Sequence, residues 1–423
     1  MVESIATKDM LGRSGLTPVD QAVQILMDQL NTIVPESETV SLDLALDRIL
    51  GEPVISPEDL PAAARSTMDG YVVRAADTFG ASQTMPCYLN ITGEVIMGEE
   101  PVGEVEKGCC HKIPTGGLLP HGANSVVMFE HTVPVDDTMI EIVKGIGEGT
   151  NLIQRGEDIS RNAEALPAGH LLRPQDIGLL AGLGIAEVSV FKKVSVGIVS
   201  TGDEIVPYGD NPLPGQIRNI NSITLAGMIK RAGGLCVDYG IVSDKFDIFF
   251  PALEKAVQEN DIVLFSGGSS VGVRDLGEQA VEALGPPGIF IHGVALKPGK
   301  PILMGLSKTT PVFGLPGHPV SALVCFDLFV LPAILKLSGI KNKVELPPAT
   351  LSARLSRNIN SAPGRRDLVR VKLQYDNDTW TADPIMGKSG SISTLSRAHG
   401  YFTIEEDSQG VSEGTNVKVF FYQ

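Results

Sequence analysis

The stretch "DIVLFSGGSSVGVRD", Asp261–Asp275, decides how the rest of this 423-residue chain is read. Apolar, strand-favouring residues run directly into glycines and serines, and then into an acid. A short apolar run closed by glycines is the pattern of a buried strand in a parallel sheet. Bare backbone and hydroxyls at its end, beside a carboxylate, suit an oxyanion held together with a metal cation.

The flanking sequence repeats the pattern. Between residues 194 and 338, "VSVGIVSTGDEI" reads as a buried strand leading to a loop, and "NSITLAGMIKRAGG" as a helix with a glycine stop. "CVDYGIVSD" is a strand and "KFDIFFPALEKAVQEN" a helix. After "DIVLFSGG" come the helix "GEQAVEALG" and the strand, loop and helix of "TPVFGLPGHPVSALVCFDLFVLPAI". Such alternation predicts a doubly wound α/β domain, in which ligands sit outside the carboxyl ends of the strands. Val320–Leu337 is the one segment to weigh as a membrane span; carrying Asp327 and Pro332, it reads as a buried helix.

Three loops should therefore meet at one sheet edge. They are "STGDE", with Ser200, Gly202 and Glu204; "SGGSSVGVRD", with Ser266, Gly267, Gly268, Ser269, Ser270, Gly272 and Asp275; and "LPGHPVSA", with Pro316, Gly317, Pro319 and Ser321. Glycines let backbone amides approach phosphate oxygens, and helix N-termini favour negative charge. Glu204, Asp244 and Asp275 are acids at the ends of three successive strands. Beside a phosphate cradle they imply an intervening hard cation, Mg²⁺. "VALKPGKP" (Val294–Pro301) adds Lys297 and Lys300 as a short rigid cationic finger suited to a tetrahedral oxyanion. Singly, each feature has a plainer reading: Asp244 could cap the next helix, and the lysines could be solvated. Their co-occurrence on one edge argues for a site.

The remaining chain divides around this unit. "TPVDQAVQILMDQL" places a helix cap before apolar residues at helical spacing, and Glu38–Ser56 reads as a strand and short helix. From about residue 60 to 152, short β-like runs between Gly, Pro and Asn turns predict an inserted β domain. Asp176–Phe191 resumes a helix–strand pattern. The expected layout is a split N-terminal domain (1–59 with 153–191), the insertion (60–152), the α/β domain (192–340) and a C-terminal β domain (341–423). In the insertion, Asp69 before Gly70 and Thr115 in "PTGG" read by themselves as turn residues.

Composition narrows the partners. The chain is 43% hydrophobic and 20% charged, an ordinary globular mixture with material for several cores. A net charge of −16 and 5% aromatic content exclude nucleic acid and anionic membrane as expected partners. The five cysteines have no metal-ligand spacing and read as reduced thiols. The polar N-terminus has no hydrophobic signal core, so a cytoplasmic location is expected.

The motifs together resemble the molybdopterin molybdotransferase family, which includes MoeA and the E domain of gephyrin. "STMDGYVVRAAD", "PTGGLLPHGANSVVMFE", "NLIQRGEDI", "STGDEIV", "SGGSSVGVRD", "KPGKP" and "GLPGHPVSA" follow in the family's order over nearly the whole chain. The resemblance implies four domains: a split first domain, an inserted β domain, an α/β domain like molybdopterin adenylyltransferases, and a C-terminal β-barrel-like domain. It implies a homodimer, with the site between the α/β domain of one subunit and the inserted domain of the other, so that Asp69 and Thr115 complete it. It implies insertion of molybdenum from molybdate into adenylylated molybdopterin with release of AMP. A molybdopterin adenylyltransferase is then an expected partner.

Carried over by motif, Glu204, Asp244 and Asp275 would bind metal and assist phosphate transfer, with Asp69 and Lys297 also catalytic. Lys297, Lys300 and Ser321 would face molybdate. Arg365 in "PGRRDLVRV" matches a family arginine near molybdate, with Arg366 and Arg370 close by, and a serine of "KSGSIS" would join it. Three departures stand out: Ser269 for a valine, His318 for an asparagine, and Gly293 where some members carry a lysine or arginine. Tungstate insertion, a nucleotide-pyrophosphate hydrolase and a gephyrin-like scaffold are the competing functions.

Overall fold

A computed structural model describes residues 15–267, 271–340, 349–376 and 378–422, side chains of 271–274 aside. Its centre is a six-stranded sheet in the order Leu235–Val242, Ser195–Thr201, Ile262–Gly267, Thr310–Pro316, Leu303–Ser307, Pro287–His292. The first four strands are mutually parallel, and Leu303–Ser307 runs against both its neighbours. The chain reaches its second strand on one side of Ser195–Thr201 and its third on the other, so the sheet reverses direction there. Crevices at such reversals are where doubly wound sheets take ligands.

Both faces of this sheet are covered. On one, Phe249, Leu253 and Ala256 of the helix Phe246–Glu259 pack with Leu276 and Ala280 against Val199, Val263 and Phe265. On the other, Leu225 and Ile229 of Asn221–Arg231 and the apolar segment Pro319–Leu337 pack on Val196, Ile198 and Leu264. Pro319–Leu337 is long and apolar enough to cross a membrane by length and composition, but it lies within this core. It is a continuous helix whose middle, Phe326–Val330, widens to a π-helical turn.

The N-terminal helix Val19–Leu30 joins the same core. Its Val19, Ala22, Leu26 and Leu30 recur at helical spacing and are fully buried there, each burial stabilising by about 1–3 kcal/mol. Thr17, expected to cap it, instead extends the backbone pairing: its N–H donates to Gly293 and its carbonyl accepts from Ala295. Pro18 occupies the cap position without a side-chain bond.

The split domain is stitched by pairings across the insertion. Ser37–Ser41 pairs with Glu187–Phe191, Val54–Ile55 with Glu164–Leu166, and Arg65–Ser66 with Leu152–Ile153. The expected short helix after the first strand is a single 3-10 turn, Leu42–Leu44. The insertion forms its own six-stranded sheet, in which Gly70–Val73 lies between Ser125–Met128 and Cys109–Ile113. At the C-terminus Arg366–Asp376, Thr379–Pro384, Thr350–Leu355, Asn416–Phe421 and Gly400–Ile404 pair in a closed ring, a five-stranded barrel filled by Leu355, Val371, Phe402 and Val419. The short strand Leu296–Lys297 of the α/β unit adds to its edge beside Arg366–Asp367.

Candidate functional site

The strand ends fall in register. Val242 pairs with Thr201, Thr201 with Gly267, and Gly267 with Pro316, so the loops after all four parallel strands leave from one line. Close approach explains the bare backbone: a Cβ on Gly267 would lie 2.1 Å from the Thr201 carbonyl oxygen. Gly202, at φ +149°, would place one 2.9 Å from a Glu204 carboxylate oxygen. Ser200 and Ser266 are buried beneath this line. Gly268, Ser269 and Ser270 lie outside the described residues.

Side chains from the helix start Asn219–Ser222 lace the loops together. The Asn219 amide donates to Ser200 Oγ at 2.9 Å, and the Asn221 amide donates to the Gly317 carbonyl at 2.9 Å. Asn221 Oδ1 is buried without a hydrogen-bond partner among the described residues. These two asparagines were missed in the sequence, where "RNINS" looks like any polar helix start. A cavity of about 430 Å³ opens beside them, lined by Ile205, Tyr208, Asn219, Ser222, Asp238 and Ile241.

The acids are distributed unevenly. Asp244 follows the Leu235–Val242 strand and accepts a short hydrogen bond from the Thr201 hydroxyl, which ties it to the edge. Neighbouring Asp203 accepts from Ser243 Oγ at 2.8 Å. Glu204 is half-buried in the loop whose next residues, Ile205–Val206, pair with Ile217–Arg218. Asp275 differs from expectation: it is exposed in the second turn of the helix Val271–Ala283, not in a loop. The helix expected over "GEQAVEALG" begins earlier, at Val271, and so takes in Asp275. Among the described residues no three His, Cys, Asp or Glu side chains converge as a metal-binding group, so Glu204, Asp244 and Asp275 do not form a preassembled cage.

The third loop and the cationic finger meet on one helix. Pro316 is buried, Gly317 is held by Asn221, and Pro319 opens the helix that buries Ser321 in its first turn. One turn later, Cys325 Sγ contacts the Gly299 carbonyl at 3.5 Å, seating the Lys297–Lys300 loop against this helix. Gly299 takes φ +123°, and a Cβ there would meet Cys325 Sγ at 2.9 Å. From the barrel, Ser389 Oγ lies 3.0 Å from His318 Nδ1 and its carbonyl accepts from Val320 N–H. Ser389 is thus the serine of "KSGSIS" that reaches this loop.

Lys297 Nζ lies 3.2 Å from Asp367 Oδ2, and Arg365 Nε donates to Asp367 Oδ1 at 2.9 Å. Of the nearby arginines, Arg366 turns away to Asp20, Glu405 and Glu406, and Arg370 donates to the Gly387 carbonyl. Arg365 is therefore the arginine that stands with Lys297. Lys300 is exposed on the same loop. Gly293 is buried at φ +91° against Leu16, a conformation and space unsuited to a long cationic side chain.

Asp69 and Thr115 come together in the insertion. Thr115 N–H donates to Asp69 Oδ1 at 2.6 Å, and this bond, with a second from the Thr115 hydroxyl, holds the Asp69 carboxyl below the usual range. All five cysteines are free thiols.

Comparison with known proteins finds one family along the chain. The MoeA N-terminal region (domains I and II) matches residues 17–184, a probable molybdopterin binding domain matches 197–336, and the MoeA C-terminal region (domain IV) matches 352–422. A molybdopterin molybdenumtransferase of Haemophilus influenzae is 32% identical over 95% of this chain and 97% of its own length. Gephyrin of Dictyostelium discoideum is 34% identical over 95% of this chain and 62% of its own length. The crystal structure of a molybdopterin biosynthesis MoeA protein from Pyrococcus horikoshii is 36% identical, covers 97% of this chain and all of its own, and superposes with a TM-score of 0.82. The chain belongs to the molybdopterin molybdenumtransferase family, a family of transferases.

Proposed function

We propose that this protein inserts molybdenum from molybdate into adenylylated molybdopterin, with Mg²⁺-dependent cleavage of the pyrophosphate link and release of AMP. Its place in molybdenum cofactor biosynthesis follows from its family. The observation that carries the finer reading is the meeting of four strand ends in register with a separate cationic corner on the adjoining helix.

The two regions divide the work. Backbone N–H groups at the strand ends would take the phosphate oxygens, and the neighbouring cavity has the size of small-molecule sites. Lys297, Lys300, Ser321 and Arg365 would hold molybdate as a tetrahedral dianion. Glu204, Asp244 and Asp275 are hard oxygen donors of the kind Mg²⁺ takes. Their lack of a closed cage suits an ion that completes its shell with substrate phosphates and water. Bound there, Mg²⁺ would neutralise charge on the phosphates as the link breaks. The Asp69–Thr115 turn would close the site from the partner subunit of a homodimer. A molybdopterin adenylyltransferase would supply the adenylylated pterin.

The test is release of AMP from adenylylated molybdopterin in Mg²⁺, with and without molybdate or tungstate. Release that requires the oxyanion supports insertion, and the oxyanion effective at lower concentration names the metal. Release indifferent to both would point to a hydrolase, and binding without release to a scaffold.

A further inference from the structure

We infer that Asp367 is the positioning residue of the oxyanion corner, a reading that rests on the function proposed above. Asp367 is only 4% exposed, yet both its oxygens are used by cations: Oδ2 by Lys297 Nζ and Oδ1 by Arg365 Nε. The geometry follows from the strand. Arg365 and Asp367 are two residues apart and share a face, while Arg366 between them turns the other way, to Asp20 and Glu405. Lys297 arrives from a different unit, but in register, because Leu296–Lys297 pairs in parallel with Arg366–Asp367.

One buried carboxylate thus aligns two long flexible cations that come from two units of the chain. Free lysine and arginine side chains are rich in rotamers, and an unheld pair would lose that freedom on binding. Neither cation is exhausted by Asp367. Lys297 has two further N–H donors, and Arg365 engages Asp367 through Nε, leaving its terminal nitrogens for an oxyanion.

The experiment is equilibrium binding of molybdate to the full-length protein, with AMP binding and thermal unfolding recorded on the same samples. Asp367→Asn keeps the size and one acceptor but removes the charge. It is expected to weaken molybdate binding by about tenfold or more, a loss of about 1.4 kcal/mol, with AMP affinity unchanged. In the Lys297→Ala background the same substitution should cost less than it does in the native protein, because only Arg365 is then left for Asp367 to position. Unchanged molybdate affinity in folded Asp367→Asn, or losses that multiply with those of Lys297→Ala, would overturn the inference. Should Asp367→Asn fail to fold, a cycle of Lys297→Ala and Arg365→Ala reads the same claim. Cations sharing one carboxylate give non-additive losses, and additive ones would overturn it. Absence of molybdate and tungstate binding in the native protein would instead sink the proposed function itself.

Discussion

The strand-end line and the cationic corner handle charge by opposite means. At the line, Thr201, Gly267 and Pro316 present backbone, and the side chains nearby, Ser200, Asn219 and Asn221, are spent on holding that backbone still. At the corner, Lys297 and Arg365 present charge, and the one buried acid, Asp367, contacts both. A backbone site is insensitive to the loss of most single side chains but intolerant of an added Cβ. A side-chain site has the reverse sensitivities. That contrast can be broken or sharpened by mutation.

The largest effect is expected at Asp275, which is exposed on its helix and makes no hydrogen bond or ion pair among the described residues. Asp275→Asn should lower AMP release by roughly a hundredfold or more, by analogy with loss of one electrostatic stabiliser of a transition state. Its thermal unfolding should match the native protein. Full activity would remove Asp275 from the metal-holding acids. Next in size is Lys297→Ala, which should raise the molybdate concentration needed for half-maximal AMP release by about tenfold or more. Adenylate affinity should stay unchanged. Equal loss of both would erase the distinction between line and corner.

Glycine substitutions test the line from the other direction. Gly267→Ala pushes a methyl into the Thr201 carbonyl and should destabilise by about 1–3 kcal/mol, the range for overpacking. Gly227, exposed within the helix Asn221–Arg231 with nothing near its Cβ position, is the control. Gly227→Ala should stabilise by about 0.5–1 kcal/mol. Urea unfolding reads both, and equal behaviour would show that the strand ends are not in close contact.

How much of this was legible beforehand follows the same contrast. The line was visible because parallel strands write themselves as apolar runs closed by glycines, and three such runs in one unit must end on one edge. The insertion and a C-terminal β domain show as changes of texture, whereas the barrel form of the latter came only from the resemblance to the family. Asp367 was invisible, because in "RRDLVRV" it reads as a solvated acid, and its burial comes from pairing with Lys297, 70 residues away in sequence. Asn219 and Asn221 escape notice for the same reason: their partners lie elsewhere in the sequence, Ser200 at a strand end and Gly317 in the loop after another strand. Asp275 reads as a loop residue because it closes the glycine- and serine-rich run "SGGSSVGVRD", whereas a helix anchored by Leu276 and Ala280 in the core already includes it.

The helix that joins line to corner carries an effect of a different kind, a dependence of stability on pH. Asp327 lies in its π-helical turn, two residues after Cys325, and burial pushes its carboxyl up to about 7, against the opposing pull of Arg231. From the barrel, Tyr401 and Tyr422 face it closely enough that its charge raises both phenols, after burial as the main cause, while Arg370 acts the other way on Tyr422. The folded protein therefore keeps the Asp327 proton over a range where an unfolded chain has released it. Stability from the neutral acid is fully present below about pH 4 and is lost as pH rises through about 7. Asp327→Asn cannot ionise, so the difference in unfolding free energy between variant and native protein should grow in the variant's favour from pH 5 to pH 8. Other carboxylates titrate in both proteins and cancel in that difference. A difference that stays flat across the range would mean that Asp327 is charged and paired in the folded state, and that the helix between the two regions is held by an ion pair to Arg231.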